Sequence, residues 1–423
     1  MNKKILKSAL ALSLGLGLFG CGNNNQGNSD VVELTYWYSW QDKIAENNIE
    51  LTNKFNETIG KENGIHVTCE YQGTYEDLHS KLQSAFVAKE APDVSVMEIG
   101  SIKTFADSGM LESLDSYISD EKENNFLKGL MDNSYVNEQL YGVPYLRSTP
   151  IFYYNKTLLE KAGITEAPKN WEELKQASKA CESLGIAGFG FVNDEWHFEA
   201  LTKGNGGNTV NETETEAIYN QPEAKAVVDF LKTGMAESNF KYYSGNNASD
   251  ALNSEVLNQK VAMWLASTGS LNNTLDIASQ NGYEVGTAFI PCGKAYNVPT
   301  GGCNLVMTSG LSEEKKEAAA KFINFMTDEE QVVYSHKKTG YLPTTNSSLE
   351  NDEIKALYEK TPQFKVALDQ LAYGSGRPMN KGYVEGIKVY KDALDKIFTT
   401  DVDIQQTLDE AATKTTELLK AGA

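Results

Sequence analysis

The apolar and polar positions along the chain predict strands and helices in alternation. Residues 31–37 are rich in β-branched and aromatic side chains and predict a first strand, and residues 66–71 and 93–97 predict two more. Between these strands, apolar side chains recur at helical spacing over 44–55 and 78–86. A βαβα order of this kind indicates a mostly parallel sheet with helices on both of its faces.

The second half of the chain continues the alternation. Strands are predicted at 151–154 and 187–192, and the apolar run 260–266 fits either a buried strand or a short helix. The turn-rich stretches are too short to be interdomain linkers, so two domains would be crossed by the chain more than once. A cleft between such domains is a natural ligand site. Helices are predicted at 171–184, 319–326 and 404–418.

The N-terminus has the organisation of an export signal. Three lysines precede the apolar run 9–20, which is too short to span a bilayer. Residues 18–21 (LFGC) resemble the bacterial lipobox, in which Cys21 becomes the first mature residue and carries the lipid. We therefore predict a signal peptide at 1–20, a flexible tether at 21–30 and a mature protein that is anchored to a membrane without spanning it. An ordinary cleaved secretory signal is the alternative.

Composition and charge exclude several classes of protein. The 423 residues suffice for two to three domains, and 58 acidic against 38 basic residues give a net charge of −20. Such a surface repels phosphodiester backbones, so we expect no nucleic-acid partner. The four histidines form no HExxH motif, no CxxC motif is present, and we expect neither metal nor cofactor. The five cysteines are too few for a disulfide scaffold, but a bond between Cys292 and Cys303 remains open.

Polar and aromatic residues follow the predicted strands, although no catalytic motif is present. The chain lacks GxSxG and Walker A sequences, and its GxGxxG lies in the signal segment. Tyr38 follows the first strand, Tyr75 follows the second and Glu98 ends the third. Ligands of open α/β sheets bind beyond such strand ends, where rings stack on sugars and a carboxylate accepts from hydroxyls. Ordinary core or surface roles for these three residues are the alternative.

Arginine is scarce in this chain. The sequence contains only Arg147 and Arg377 among its 38 basic residues. Codon preference alone would explain this ratio. The functional interpretation is that each arginine is kept where a planar fork grips a carboxylate or a phosphate in two places.

Taken together, these features resemble the solute-binding lipoproteins of ABC importers, and local segments narrow the resemblance to the family-1 extracellular solute-binding proteins. Within that family the chain is most similar to binders of glycerol 3-phosphate and glycerophosphodiesters. The segments that carry the resemblance are 71–76 (YQGTYE), 91–93 (APD), 96–98 (VME), 148–150 (STP), 153–156 (YYNK), 170–174 (NWEEL), 266–271 (ASTGSL), 301–302 (GG) and 338–343 (KTGYLP).

The resemblance implies an α/β, two-lobed periplasmic-binding-protein type II fold, whose lobes are joined by hinge crossings with a ligand cleft between them. It implies a first lobe made of 31–148 plus 303–340 and a second lobe made of 149–302 plus 341–423. The ligand-binding residues that it implies, together with Tyr38 and Arg377 from the residue pattern, are Tyr38, Tyr75, Glu98, Ser148, Trp196, Ser270, Gly302, Tyr341 and Arg377.

One position departs from the family pattern. The glycerol-3-phosphate binders have a phosphate-gripping arginine after a Lys-Gly step, and here Val384 stands at the matching position. We therefore favour a neutral or weakly anionic ligand over glycerol 3-phosphate, unless Arg377 or Arg147 takes the missing role. The resemblance also implies a monomer on the extracytoplasmic face of the cell membrane, whose partners are a sugar, polyol or glycerol-phosphate-type ligand and an ABC permease.

Two other classes of function remain as alternatives. A surface carbohydrate-active hydrolase requires two cleft carboxylates about 5–5.5 or 6.5–9.5 Å apart. A Glu98 with no carboxylate across the cleft would favour a binding protein over that enzyme. An adhesin or scaffold lipoprotein predicts no enclosed pocket.

Overall fold

Two five-stranded sheets organise the part of the chain described by the computed structural model, residues 31–245 and 247–422. The predicted signal peptide, Cys21 and the tether lie outside these residues. The strands, numbered along the chain, are β1 Val32–Tyr38, β2 Ile65–Tyr71, β3 Val94–Glu98, β4 Tyr135–Val136, β5 Gln139–Leu140, β6 Val143–Ser148, β7 Pro150–Asn155, β8 Ala187–Val192, β9 Phe240–Tyr243, β10 Val261–Ser267, β11 Val285–Ala288, β12 Val298–Pro299, β13 Gly301–Met307 and β14 Gly374–Ser375.

Helices connect most of these strands. None of those in the described part of the chain combines the length and the apolar composition needed to cross a membrane. The helices are α1 Asp42–Phe55, α2 Lys61–Asn63, α3 Tyr75–Ala88, α4 Ile102–Asp107, α5 Asp120–Asn125, α6 Lys156–Lys161, α7 Trp171–Ala180, α8 Glu195–Gly204, α9 Pro222–Glu237, α10 Ala248–Leu257, α11 Leu271–Gln280, α12 Glu313–Met326, α13 Glu329–Thr339, α14 Asn346–Glu350, α15 Asp352–Lys360, α16 Gln363–Gln370, α17 Tyr383–Thr399 and α18 Ile404–Gly422.

Both sheets are mixed, so the expectation of a mostly parallel sheet was wrong. The first has the order β2-β1-β3-β13-β6 and the second β11-β7-β10-β8-β9, each with two parallel and two antiparallel pairs. Strand β6 leaves the first sheet at the edge where β13 enters it, with Ser148 opposite Gly301, and this makes the pair antiparallel. The ambiguous run 260–266 is the central strand β10.

Each sheet has its own hydrophobic core. The first sheet buries side chains from 34–146 and 303–341. The second sheet is covered on both faces by a hydrophobic core. Successive side chains of a strand point to opposite sides of the sheet, so one strand contributes to both cores. In β7, Phe152 belongs to one of its cores, and Ile151 and Tyr153 belong to the other. We keep the lobe boundaries given above as a proposal and use the terms first and second lobe in that sense.

Helix caps fix the start of the two helices that carry predicted ligand residues. Thr74 and Asp77 form a reciprocal capping box at α3, so that Tyr75 is the first residue of that helix. The Asp194 side chain accepts from the backbone N–H of His197 at 3.0 Å and caps α8, which places Trp196 in the first turn.

The chain passes from the first sheet to the second between β6 and β7, at 148–150, and returns to the first between β11 and β13, through 299–301. In the proposed lobe division, a third crossing lies at 340–342. Arg147 ties these three crossings together: it is fully buried, and its carbonyl accepts from the N–H of Leu342 at 2.7 Å. Burial lowers the pKa of Arg147 to about 10. The guanidinium donates to Gly301 O at 3.0 Å, Thr300 Oγ1 at 3.1 Å, Asn304 Oδ1 at 3.2 Å and the carbonyl of Leu130. Arg147 is therefore committed to protein oxygens and does not serve as an anion grip.

The disulfide that the sequence left open does not form. Cys303 is a buried thiol in β13, opposite Glu98, and Cys292 pairs through its backbone with Asn170 at the start of α7. Both cysteines are free, as are Cys69 and Cys181.

Candidate functional site

Arg377 lies in an ion cluster that joins the two lobes. Its Nη1 is 3.4 Å from Glu98 Oε1 in the first lobe, and its Nε is 3.3 Å from Glu199 Oε2 in α8 of the second lobe. Its Nη2 is 3.6 Å from Glu195 Oε1, also in α8. The backbone N–H and carbonyl of Arg377 both bond to the side chain of Asn133, at 3.0 and 2.8 Å. We call Arg377, Glu98, Glu195 and Glu199 the Arg377 cluster.

Among the described residues, each cation at this cluster has a carboxylate partner. Lys203 Nζ lies 4.0 Å from Glu199 Oε1, and Lys391 Nζ lies 3.7 Å from Glu195 Oε2. These three carboxylates, one guanidinium and two ammonium groups carry a formal sum of zero, and Asp194 adds a further carboxylate that interacts with Arg377 and Lys391. Burial opposes the charge on Arg377, but Glu199 and Glu98 outweigh it and raise its pKa further. Burial likewise raises the pKa of Glu199, against the pull of Arg377.

Glu98 is held in place at the end of β3. Its Oε2 accepts from the N–H of Gly100 at 3.0 Å and from Ser101 Oγ at 3.3 Å, which leaves Oε1 for Arg377. Ser101 Oγ also lies 3.3 Å from Nδ1 of His79, whose pKa burial lowers to about 4. The carboxylate orientation is therefore fixed by the first lobe before any contact across the cleft.

In the loop that follows β1, Trp40 is exposed, whereas Tyr38 at the end of the strand is buried. Tyr38 is 4% exposed and packs in the first core beside Tyr71, because alternate residues of β1 point inward. Trp40 is 37% exposed, has a left-handed backbone (φ 72°) and packs edge-on against Tyr75 at 5.3 Å between ring centroids. The backbone N–H of Trp40 donates to Gly73 O at 3.0 Å, and this hydrogen bond joins the loops after β1 and β2. Strain of this kind at a non-glycine residue is typical of ligand sites.

Tyr341 lies at the proposed third crossing, and its side chain belongs to the core of the first sheet. Its side chain is buried, and its carbonyl accepts from Nδ1 of His336 at 2.6 Å. A Cβ placed on Gly269 would come within 2.6 Å of its ring. Burial raises the pKa of Tyr75 and of Tyr341, and both hydroxyls lie near the Cys303 thiol. Tyr75 and Tyr341 thus form one contact group at the hinge.

Trp196 packs on the second crossing. Its Nε1 donates to Thr300 O at 3.2 Å, and a Cβ on Gly301 would come within 2.5 Å of its indole. Gly302 has φ 84°, and a Cβ there would lie 2.0 Å from Leu146 O. The backbone conformation at position 302 therefore requires a glycine, independently of any part that this residue has in ligand binding.

The remaining predicted residues lie on either side of this group. Ser148 is buried at the end of β6, opposite Gly301. Ser270 is exposed at the start of α11, and its hydroxyl is not used to cap that helix. Two surface cavities of about 470 and 400 Å³ share Tyr154 and contain none of the predicted ligand residues.

The site residues predicted from the sequence do not include Glu195, Glu199, Asn133 or Trp40. Glu199 had a visible signal: it stands in a run of α8 that is otherwise apolar and buried, four residues after Glu195. The structure also shows that Glu98 does have carboxylates across the cleft. The observation that would have favoured a binding protein, a Glu98 without a carboxylate across the cleft, is therefore not made, and geometry alone does not separate a binder from a hydrolase.

The comparisons with known proteins point to binding. A sequence model of the family described as bacterial extracellular solute-binding protein matches residues 50–365. The sn-glycerol-3-phosphate-binding periplasmic protein UgpB of Shigella flexneri serotype 5b (strain 8401) is 28% identical over 443 residues, covering 99% of this chain and 98% of that protein. The protein of the same name from Escherichia coli strain K12 is 27% identical over the same shares of the two chains.

Solved structures confirm the predicted fold class, a two-lobed α/β fold. UgpB from Mycobacterium tuberculosis, in complex with glycerophosphocholine, superposes with a TM-score of 0.80 at 24% identity, covering 93% of this chain and 99% of that one. The GacH receptor of Streptomyces glaucescens, solved unliganded and with acarbose, gives 0.83 at 20% identity, covering 92% and 99%. At these identities the likeness concerns the fold.

Proposed function

The chain belongs to the bacterial extracellular solute-binding proteins, and we propose that it is the lipid-anchored receptor of an ABC importer. It captures a sugar, polyol or glycerol-phosphate-type ligand between its two lobes and delivers it to a transmembrane permease. Hinge motion at the three crossings closes the lobes around the ligand. The lipid on Cys21 keeps the monomer at the extracytoplasmic face of the membrane. The curated relatives and the segment likenesses support this role.

We propose that the ligand is neutral and polyhydroxylated, and the Arg377 cluster carries this proposal. Every cation around the cluster has a carboxylate partner, so a phosphate would have to displace one. Among residues 31–245 and 247–422, Arg377 Nη2 and Glu199 Oε1 are buried without a hydrogen-bond partner. One is a donor and the other an acceptor, and a hydroxyl group can accept from the first kind of partner and donate to the second. Val384, at the position of the family's phosphate arginine, is a 42% exposed apolar side chain.

A glycerol-phosphate ligand is the second candidate. It is favoured by the name of the curated relatives and by the glycerophosphocholine bound to the Mycobacterium tuberculosis protein. Such a ligand would need the guanidinium of Arg377 to exchange at least one carboxylate for phosphate oxygens. The exchange would leave that carboxylate buried and unpaired, which costs free energy.

We also propose that the protein performs no catalysis on this ligand. Glu98 and Glu199 face each other through one guanidinium, which bonds to both carboxylates. Because each carboxylate is already bonded to that guanidinium, neither is free to serve as the acid or the base of a glycosidic cleavage. Release of reducing ends from an oligosaccharide by the purified protein would contradict this proposal.

A thermal-shift screen tests the ligand class. A neutral sugar or polyol at 100 times its Kd should add about 2.7 kcal/mol to the unfolding free energy and so raise the melting temperature. The screen is repeated on Trp196→Phe, with Trp171→Phe as the matched control. Trp171 stacks on Phe230, with 4.5 Å between the ring centroids, and does not pack on the crossings. Loss of the ligand shift in the first variant alone supports the cleft site. Equal loss in both, or no shift with any neutral ligand, contradicts it.

Fractionation of cells tests the anchor. Cys21→Ser should release the protein from membranes, whereas Cys69→Ser should leave it in the membrane fraction because Cys69 lies in β2. Membrane retention of the Cys21 variant would remove the lipid-anchor proposal and leave the binding proposal intact.

A further inference from the structure

Glu199 differs from the other carboxylates that contact Arg377. Its side chain is 1% exposed, against 18% for Glu98 and 21% for Glu195. It sits on α8 between Phe198 and Ala200, both of which are buried in the second core. A carboxylate in that setting has little water and depends on Arg377 and Lys203 for compensation.

Glu199 also contacts the edge of the Arg377 guanidinium to which a bidentate anion would bind. Arg377 Nε donates to Glu199 Oε2 at 3.3 Å, while the neighbouring Nη2 has no hydrogen-bond acceptor in the described part of the chain. Nε and Nη2 together form one side of the planar fork, the side that grips carboxylate or phosphate in two places. Glu199 therefore occupies half of a phosphate grip, and the other half, Nη2, faces Glu195 Oε1 at 3.6 Å without a hydrogen bond.

We propose that Glu199 sets the ligand class of the cleft: it neutralises Arg377, repels phosphate and sulfate groups, and leaves a subsite that one hydroxyl fills. This inference rests on the proposed binding function for the hydroxyl ligand, but the exclusion of anions is a property of the cluster itself. Specificity of this kind comes from a repulsive group as much as from an attractive one. In the described part of the first lobe, Glu98 is the residue whose side chain contacts the guanidinium, so the second lobe holds the selective element before the cleft closes.

The test uses inorganic phosphate as the probe and the variant Glu199→Gln. Glutamine keeps the shape of the side chain and removes its charge, so the Arg377 fork gains an unmatched positive charge. We expect phosphate to bind the variant about tenfold or more tightly than the wild type, measured by thermal shift and calorimetry at constant ionic strength with chloride as the control salt. Glu195→Gln, which removes a more exposed and more distant charge, should give a smaller gain.

The double variant Glu199→Gln/Arg377→Ala should lose the gain, because the grip itself is removed. Should Glu199→Gln fail to fold, Glu98→Gln frees the Nη1 side of the same guanidinium and should also improve phosphate binding, by less than tenfold. Tight phosphate binding by the wild type, an unchanged affinity in the folded charge variants, or an equal gain from Glu195→Gln would overturn the proposal.

This result is separable from the proposed function. If no sugar or polyol binds but phosphate binds Glu199→Gln better than the wild type, the anion-excluding role stands and the neutral-ligand function falls. If neutral ligands bind and the charge variants do not change the phosphate affinity, the function stands and the role of Glu199 falls.

Discussion

Removal of the Arg147 guanidinium should destabilise the hinge more than any other single loss of polar contacts that we describe. Arg147→Met keeps most of the aliphatic stem and deletes the donors for Gly301, Thr300, Asn304 and Leu130. A buried acceptor that loses its donor costs about 1–3 kcal/mol, but the arginine also pays a desolvation cost that methionine avoids. The net loss should be about 3–5 kcal/mol of unfolding free energy.

Calorimetric or tryptophan-fluorescence melting measures this loss. For a lobe of 150 to 250 residues, each kcal/mol shifts the melting temperature by about 2–4 °C, so we expect a decrease of about 6–20 °C. Thr300→Val is the graded control, because it removes one of the four acceptors and should cost about 1 kcal/mol. A melting temperature of Arg147→Met within a degree of the wild type would refute the view that this residue ties the crossings together.

Three further predictions follow from the same contacts. In calorimetric titrations, Trp40→Ala should weaken ligand binding about tenfold and Tyr38→Phe should leave it unchanged, because the Trp40 ring is exposed and the Tyr38 ring is buried. If Tyr38→Phe weakens binding and Trp40→Ala does not, the stacking role belongs to Tyr38. In chemical unfolding, Gly302→Ala should lower the unfolding free energy by about 1–3 kcal/mol or more. The control Gly163→Ala should lose less, because its φ is also 84° but its Cβ would meet open space. Equal losses in the two variants would remove the steric argument. Burial lowers the pKa of His336 to about 4, so below pH 6.5 the unfolded chain takes up a proton that the native state resists, and stability falls as pH drops from 6.5 to 4. Between pH 6.5 and pH 4, the unfolding free energy of His336→Asn should fall by up to about 3 kcal/mol less than that of the wild type, as measured by melting at each pH. If the stability of the two proteins falls in parallel with pH, this assignment is contradicted.

The local elements could be predicted from the sequence because their signals lie within short windows. The periodicity of 44–55 and 78–86 identified α1 and α3, and the run 187–192 matched β8 at both ends. The pairing of β13 with β3 was not predictable in this way. These strands are about 200 residues apart in the sequence, and their contact depends on the chain's return from the second sheet.

The candidate site was predicted only in part for a similar reason. Glu98 and Arg377 were both named, but their contact joins positions 279 residues apart and emerges only when the lobes are assembled. Tyr38 and Trp40 are two residues apart on or after one strand, and strict alternation would place them on the same face. The left-handed backbone at Trp40 breaks this alternation and turns its ring outward. A local conformation of that kind leaves no trace in a hydrophobic pattern.

Calorimetric titration of the purified protein with a neutral sugar or polyol series, glycerol 3-phosphate and glycerophosphocholine tests the central claim most directly. We predict that a neutral polyhydroxylated ligand binds at least about tenfold more tightly than glycerol 3-phosphate, because the Arg377 fork is already matched by carboxylates from both lobes. Tight binding of glycerol 3-phosphate that Arg377→Ala abolishes, with no binding of any neutral ligand, would contradict the account.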